Sequence, residues 1–410
     1  MTPRNVFSLA VLAVVGLLSA GQVRGLLADP TVWPPDDFVE YWAAARLTLT
    51  GQNPYDAAAL LPLERAAGRA TYEAVMMWNP PWALPAVLPL GLLPAREAQL
   101  LWLVVHLALM GYCGDRLWLM AGGVPARRWV GWAVAFGFVP TAFALSSGQI
   151  TPLLLLGAVL YLECERRGWQ YLSGAATVLV AIKPHLTYLL WVALAVDAVA
   201  RGRWRAIVGG AGAGLACAAL PVAFDPDVWH QYADALGNRP PAQWASPTFG
   251  TLFRMAFGEE AFGLQFVSVA AGLLWFAWYR FSKRNDWNLT RQLPLVLLVS
   301  FVTAPYGAWP FDMVLLLPAV FQIVLWGAAE KVNPKLPAGP LSGGVGSARA
   351  AVLAGLVAVN AGCLAMNLFQ TGSFWFLWVS PAVLVLYVAQ MKLSPRADSA
   401  RSSLAVAVPA

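Results

Sequence analysis

Residues 5–24 read Asn5-Val-Phe-Ser-Leu-Ala-Val-Leu-Ala-Val-Val-Gly-Leu-Leu-Ser-Ala-Gly-Gln-Val-Arg24, and the chain soon turns to Asp36-Asp37-Phe38-Val39-Glu40-Tyr41. The first stretch has the length and apolarity that span a bilayer as a helix, for which about 17–25 residues are needed. The second gathers three carboxylates in a sequence where charge is scarce, and Gly51-Gln52-Asn53-Pro54-Tyr55 follows it. A membrane helix that opens into a polar, acid-rich segment sets the frame for everything downstream.

Of the 410 residues, 59% are hydrophobic, only 12% are charged and 20 are tryptophan, with a mean hydropathy of +0.61. A soluble domain has about 25% charged residues, so a soluble fold is excluded. Apolar runs recur near 5–24, 97–120, 129–147, 149–164, 169–183, 185–200, 204–224, 261–281, 292–305, 311–328, 349–368 and 373–391. The expectation is an all-α polytopic membrane protein of about twelve helices, with a large outer loop after the first. Residues 5–24 also resemble a secretory signal, with Arg4 ahead of the apolar run, but no clear small-x-small site precedes Gln22. They read as the first membrane helix.

Lys and Arg are retained on the cytoplasmic side of short loops. With the N-terminus inside, the inner turns carry Arg127-Arg128, Arg166-Arg167, Arg201 with Arg203 and Arg205, Lys283-Arg284 with Arg291, and Lys331 with Lys335. The short outer turns then carry only Lys183. The net charge of +6 is thereby topogenic, and no nucleic-acid partner is implied. Residues 79–94 contain five prolines in an apolar run and read as a re-entrant or interfacial piece.

Residues 1–391 are expected to form a single integral membrane domain, with long outer loops at about 25–96 and 225–260. A Pro/Gly/Ser-rich inner linker at 331–348 and a disordered cytoplasmic tail at 392–410 complete it. Cys113, Cys164, Cys217 and Cys363 are dispersed without paired spacing, so they read as core fillers, neither disulfides nor zinc ligands. No metal-ligand spacing is present, although the Asp36–Asp37 pair could recruit a divalent cation.

Ionisable groups at membrane depth are costly and so are candidates for function. From Asp37 to Leu49 the pattern predicts an amphipathic helix lying on the membrane surface, with Phe38, Tyr41, Trp42 and Ala45 on one side. Three short outer turns converge on the same face: Ser146-Ser147-Gly148-Gln149, Lys183-Pro184-His185, and Thr303 to Asp312 with Pro305, Tyr306 and Trp309. Lys183 offers a phosphate a point charge, with His185 and Arg254 as further donors; it could equally snorkel to stabilise a helix end. Asp312 could orient a hydroxyl, pair with Lys183 or Arg254, or cap the helix after it. The second long loop, with Trp229, His230, Tyr232 and Trp244, suits a sugar or headgroup and equally an aromatic interfacial belt.

These elements together resemble glycosyltransferase family 87. The resemblance rests on Asp37-Phe38-x-x-Tyr41-Trp42-Ala43-Ala44, Gly51-x-Asn53-Pro54-Tyr55, Asn79-Pro80-Pro81, Gly148-Gln149, Ile182-Lys183-Pro184 and the turn from Pro305-Tyr306 to Asp312. The family comprises GT-C-type membrane enzymes, among them polyprenol-phosphate-mannose-dependent mannosyltransferases. It implies a GT-C-like fold with its site at the outer leaflet, in a multi-pass protein of the cell membrane, here a bacterial inner membrane facing the periplasm. It also implies a polyprenyl-phosphate sugar as donor substrate, a lipid or glycan acceptor, no cofactor, and catalysis by Asp37. Lys183, His185 and Arg254 would bind the donor phosphate, and Asp36, Tyr41, Tyr55, Asn79, Gln149, His230, Tyr306 and Asp312 would line the substrate site. Many members have Tyr-Pro-Pro where this chain has Asn79-Pro80-Pro81, and the mannosyltransferase branch has a histidine where Tyr306 to Asp312 has none. The sugar is thus left open between mannose and another hexose or pentose.

Two rivals place charge in a membrane without glycosyl transfer: a transporter or lipid flippase, and a non-catalytic scaffold. Transporters tend to show internal repeats with matching broken helices, and this chain has no such self-similarity.

Overall fold

The structure, a computed structural model, describes residues 25, 29–238, 244–258, 260–328 and 342–393. The expected first span at 5–24, most of the inner linker and the tail beyond 393 lie outside the described residues. Every regular element among those residues is helical: α1 Phe38–Leu49, α2 Ala57–Ala66, α3 Ala95–Met120, α4 Arg128–Gly137, α5 Val139–Ser146, α6 Thr151–Arg166, α7 Gln170–Val180, α8 Tyr188–Arg201, α9 Trp204–Ala219, α10 Val228–Asn238, α11 Phe249–Phe257, α12 Val267–Ser282, α13 Leu289–Val302, α14 Leu317–Ala328, α15 Ser342–Leu368 and α16 Val379–Leu393.

Six helices among the described residues are long and apolar enough to cross a membrane, or up to seven if one bent pair counts as a span. That corrects the expected twelve. Ala95–Met120, Trp204–Ala223, Phe262–Ser282, Pro310–Gly327, Gly346–Leu368 and Ser373–Leu393 qualify. The run at 129–147 is instead α4 and α5, bent by 66° at Phe138, just before Pro140. Four other runs form α6, α7, α8 and α13, with 16, 11, 14 and 14 residues. At about 1.5 Å per residue they fall short of the ~30 Å hydrocarbon core. Polar or proline-bearing turns such as Lys183-Pro184 cut continuous hydropathy into short helices.

The described residues fall into two compact units, the first within 1–105 and 217–237, the second within 106–216 and 238–410. In the first, α1 is buried on nearly every side, Val39, Tyr41 and Ala43–Ala45 being fully enclosed. This corrects the surface-lying amphipathic helix. Ala43, Ala44 and Ala45 leave room for the short helical turns at 81–92, which close over α1 where a Cβ on Gly91 would come within 2.8 Å of Ala45 C and Arg46 N. Trp42 Nε1 donates to Leu93 O at 2.9 Å and Arg46 to Gly91 O at 3.3 Å. The proline-rich segment is therefore packed against protein, and its turns are too short to cross a bilayer.

Start and finish of this unit are pinned together. Arg96 donates to Trp33 O at 2.8 Å and Gln99 to Pro34 O at 3.0 Å. The Tyr55 and Tyr232 rings lie 5.2 Å apart and those of Trp82 and Trp229 5.7 Å apart, so the opening of the second long loop packs on the first.

Small residues bring helices close in the second unit, as membrane helices do when their backbones approach. A Cβ on Gly174 would fall 1.8 Å from Ala206 O, and one on Gly209 2.0 Å from Tyr171 O, which sets α7 against α9. Tyr188, whose hydroxyl lies 2.7 Å from Thr303 Oγ1, joins α8 to the end of α13; α12 comes in beside them through Gly272. Cys113, Cys164 and Cys363 are buried free thiols and Cys217 is a half-buried one.

Candidate functional site

Three turns of the second unit meet around one buried ion pair. Lys183 closes the turn after α7, where Pro184 prevents the helix from continuing. Its Nζ donates to Asp312 Oδ1 at 2.7 Å, to Gln149 Oε1 at 3.2 Å and to Thr151 Oγ1 at 3.4 Å. The ammonium also lies 5.0 Å from the centre of the Phe311 ring. Asp312 is wholly buried; its Oδ1 accepts from the Thr151 hydroxyl as well, and its Oδ2 accepts from Trp309 N at 3.2 Å. Of the alternatives open in the sequence, Asp312 thus both pairs with Lys183 and caps its own helical turn, while Arg254 is not its ion-pair partner.

Beside this pair stands an aromatic wall. The His185 ring lies 4.5 Å from that of Tyr306, and Tyr306 meets Trp244 edge-on at 5.9 Å. Gly307 and Ala308 both have positive φ, at 71° and 55°, a backbone that turns Tyr306 toward His185 and starts the helical turns at Pro310. Thr248 donates to Pro305 O at 3.4 Å, fastening the second long loop to this turn. The turn at 183–187 lies outside the helices long enough to cross a membrane. There, burial and the Lys183 ammonium push the His185 pKa down to about 3. His185 is therefore a neutral hydrogen-bonding group.

Arg254, on α11, is buried and donates to Gln265 Oε1 at 3.4 Å.

The remaining expected residues belong to the first unit. Asp37 precedes α1 as its N-cap residue without a side-chain cap bond. Asp36, held at φ 42°, is reached by solvent, yet the surrounding protein and then the Asp37 charge push its pKa up to about 6. A carboxyl so displaced, on a strained backbone, has the character found at functional sites. Tyr55 donates its hydroxyl to Asn79 O at 3.1 Å, and both residues are buried. Tyr41 is fully enclosed against Trp102, whereas His230 is exposed on α10.

The model of glycosyltransferase family 87 matches residues 78–305, more than half of the chain. The chain belongs to glycosyltransferase family 87. This family-87 enzyme is a multi-span membrane glycosyltransferase of the GT-C type that the family comprises. The match takes in Asn79-Pro80-Pro81, Gln149, Lys183 and Pro305 but stops short of Asp312 and begins after Asp37. A crystal structure of ArnT from Cupriavidus metallidurans in the apo state is similar over 95% of this chain and 78% of ArnT, with 14% identity and a TM-score of 0.38. At that level of similarity it assigns no residue of the site. No curated protein matches the family-87 enzyme.

Thr151 and Phe311 are parts of the family-87 enzyme's cluster that its sequence did not single out. Thr151 begins α6 just after Gln149 and before Pro152, a fully buried hydroxyl at the entry of an apolar helix. That placement was the one available signal.

Proposed function

We propose that the enzyme transfers a sugar from a polyprenyl-phosphate donor to a lipid or glycan acceptor at the outer leaflet, with inversion at the sugar carbon. The observation that carries this reading is the Lys183–Asp312 pair at the meeting of three turns, with Gln149 and Thr151 as its other partners. An ammonium kept at such depth beside a wall of His185, Tyr306 and Trp244 suits a phosphate next to a sugar ring. Family membership supplies the glycosyl transfer itself.

In the reaction, the acceptor hydroxyl oxygen attacks the anomeric carbon as the bond from that carbon to the phosphate oxygen breaks. The bonding electrons leave with the phosphate, and the hydroxyl proton passes to the Asp37 carboxylate, a role that requires hydrogen-bond reach. Charge develops on the phosphate, so fixed donors aimed at it lower the barrier. Lys183 meets the phosphate by giving up its two longer contacts, to Gln149 and Thr151, while keeping Asp312. His185, being neutral, contributes a hydrogen bond and no charge.

Reconstitution of the full chain in lipid vesicles with a labelled acceptor tests the donor class. Transfer is expected from a polyprenyl-phosphate sugar and not from a nucleotide sugar. Transfer from the nucleotide sugar alone, or movement of the lipid donor across the bilayer without a new glycosidic bond, contradicts the reading.

A further inference from the structure

Along α8, beyond the Lys183 turn, a groove of about 460 Å³ runs between α8 and α12. The two helices touch where Tyr188 meets Gly272, so closely that a Cβ there would lie 1.9 Å from the tyrosine oxygen. Beyond that contact they leave a channel lined by Val192 and Val196 on α8 and by Leu273 and Ala277 on α12, ending at Arg280 and Arg284. Its size falls within the ~300–1,000 Å³ typical of ligand sites. Unlike such sites in soluble proteins, it lies on a helix within a candidate span, Phe262–Ser282, whose Leu274, Trp278 and Phe281 are exposed.

The arginine end is built for an anion. Arg280 lies over the Trp287 ring at 5.0 Å and Arg284 over Phe281 at 4.7 Å. Such stacking holds a guanidinium plane while leaving donors on its edge available. Among the described residues neither arginine forms an ion pair, in contrast to Arg116, Arg128, Arg167 and Arg203. The Nε of Arg280 is buried without a hydrogen-bond partner, a costly state that a ligand would relieve. Asp197, the carboxylate facing this end from α8, accepts instead from Trp287 Nε1 at 2.9 Å and reaches Arg201 at 4.0 Å. Lys283 adds a further positive charge and Asp286 a negative one.

We infer that this groove binds an anionic phospholipid, its phosphate between Arg280 and Arg284 and an acyl chain along Val192, Val196, Leu273 and Ala277. An apolar channel closed by two unpaired arginines at the end of a membrane helix matches both halves of such a molecule. A free phosphate matches only one. The site is separate from the Lys183–Asp312 cluster: its lining on α8, Val192 and Val196, lies about 6 to 12 Å along the helix from Tyr188, and none of its lining residues belongs to that cluster.

Native mass spectrometry of the full chain, offered equal phosphatidylglycerol and phosphatidylcholine, tests this. Each basic residue at an anionic headgroup contributes roughly fivefold in affinity, so the wild type should favour phosphatidylglycerol at one site by about tenfold or more. R280Q/R284Q should abolish that preference, and R166Q/R167Q should retain it. Ala277→Trp, which fills the channel and leaves the arginines in place, should release the lipid as well. If the double variant does not elute as the wild type does, R284Q alone, altered over an exposed ring, makes the same test and should weaken the preference. Unchanged preference in the arginine variants, retention by Ala277→Trp, or equal thermal stabilisation by inorganic phosphate and phosphatidylglycerol vesicles would overturn the assignment.

Discussion

Lys183 and Asp312, 129 positions apart in the chain, form a 2.7 Å ion pair in which the carboxylate is wholly buried and the lysine side chain 11% exposed. Removing one partner strands the other. Asp312→Ala is therefore expected to destabilise the protein by about 3–5 kcal/mol and to abolish transfer, whereas Lys183→Met combined with Asp312→Leu should cost less stability than the single change. Thermal unfolding of the detergent-solubilised variants measures both. A double variant less stable than Asp312→Ala would show that the pair is not the stabilising unit.

Gly307 turns the chain at φ 71°, and a Cβ there would come within 2.7 Å of His185 Nε2. Gly307→Ala should cost about 1–2 kcal/mol for the left-handed backbone and push the His185 ring off Tyr306. The expected result is a small fall in unfolding temperature with a disproportionate fall in transfer rate. Normal transfer would show that the His185–Tyr306 contact is dispensable.

Asp36 has a folded-state pKa raised to about 6, above the ~3.9 of an unfolded chain. The native state therefore binds its proton more tightly, and this contribution to stability is complete below about pH 4 and lost as pH rises through about 6. Asp36→Asn should flatten the decline in unfolding temperature over that window. An unaltered slope would show that another group is responsible.

The closure of residues 81–92 over α1 depends on Gly91, whose hypothetical Cβ strikes backbone atoms of Ala45 and Arg46 at 2.8 Å. Backbone cannot swing aside as a side chain does. Gly91→Val should destabilise the first unit by about 1–3 kcal/mol, visible as faster proteolysis of the 25–96 loop. Wild-type resistance would contradict the packing described.

Hydropathy located the six long helices of the described residues to within a few positions, because an apolar run of sufficient length has few alternatives in a bilayer. It overcounted where runs are cut by turns: Phe138 and Pro140 bend one, and α7 ends at Val180 before Lys183-Pro184. The helical pattern after Asp37 was legible, but its burial was not, since Ala43, Ala44 and Ala45 show their purpose only against Gly91, far along the chain. In the same way Lys183 and Asp312 stood out as rare charges, while Thr151, an ordinary residue at a helix start, became visible only through its contacts. The low pKa of His185 comes first from burial, which no local spacing encodes, and then from the nearby Lys183 charge.

Asp37 is the residue proposed to receive the acceptor proton. Asp37→Asn keeps the size and shape of the side chain and removes its charge and its capacity to take up a proton. The measurement is the rate of sugar transfer from a polyprenyl-phosphate donor by this variant in vesicles, with donor binding followed in parallel. A fall of about a hundredfold or more is expected, with donor binding intact; transfer at the wild-type rate would overturn the assignment of Asp37.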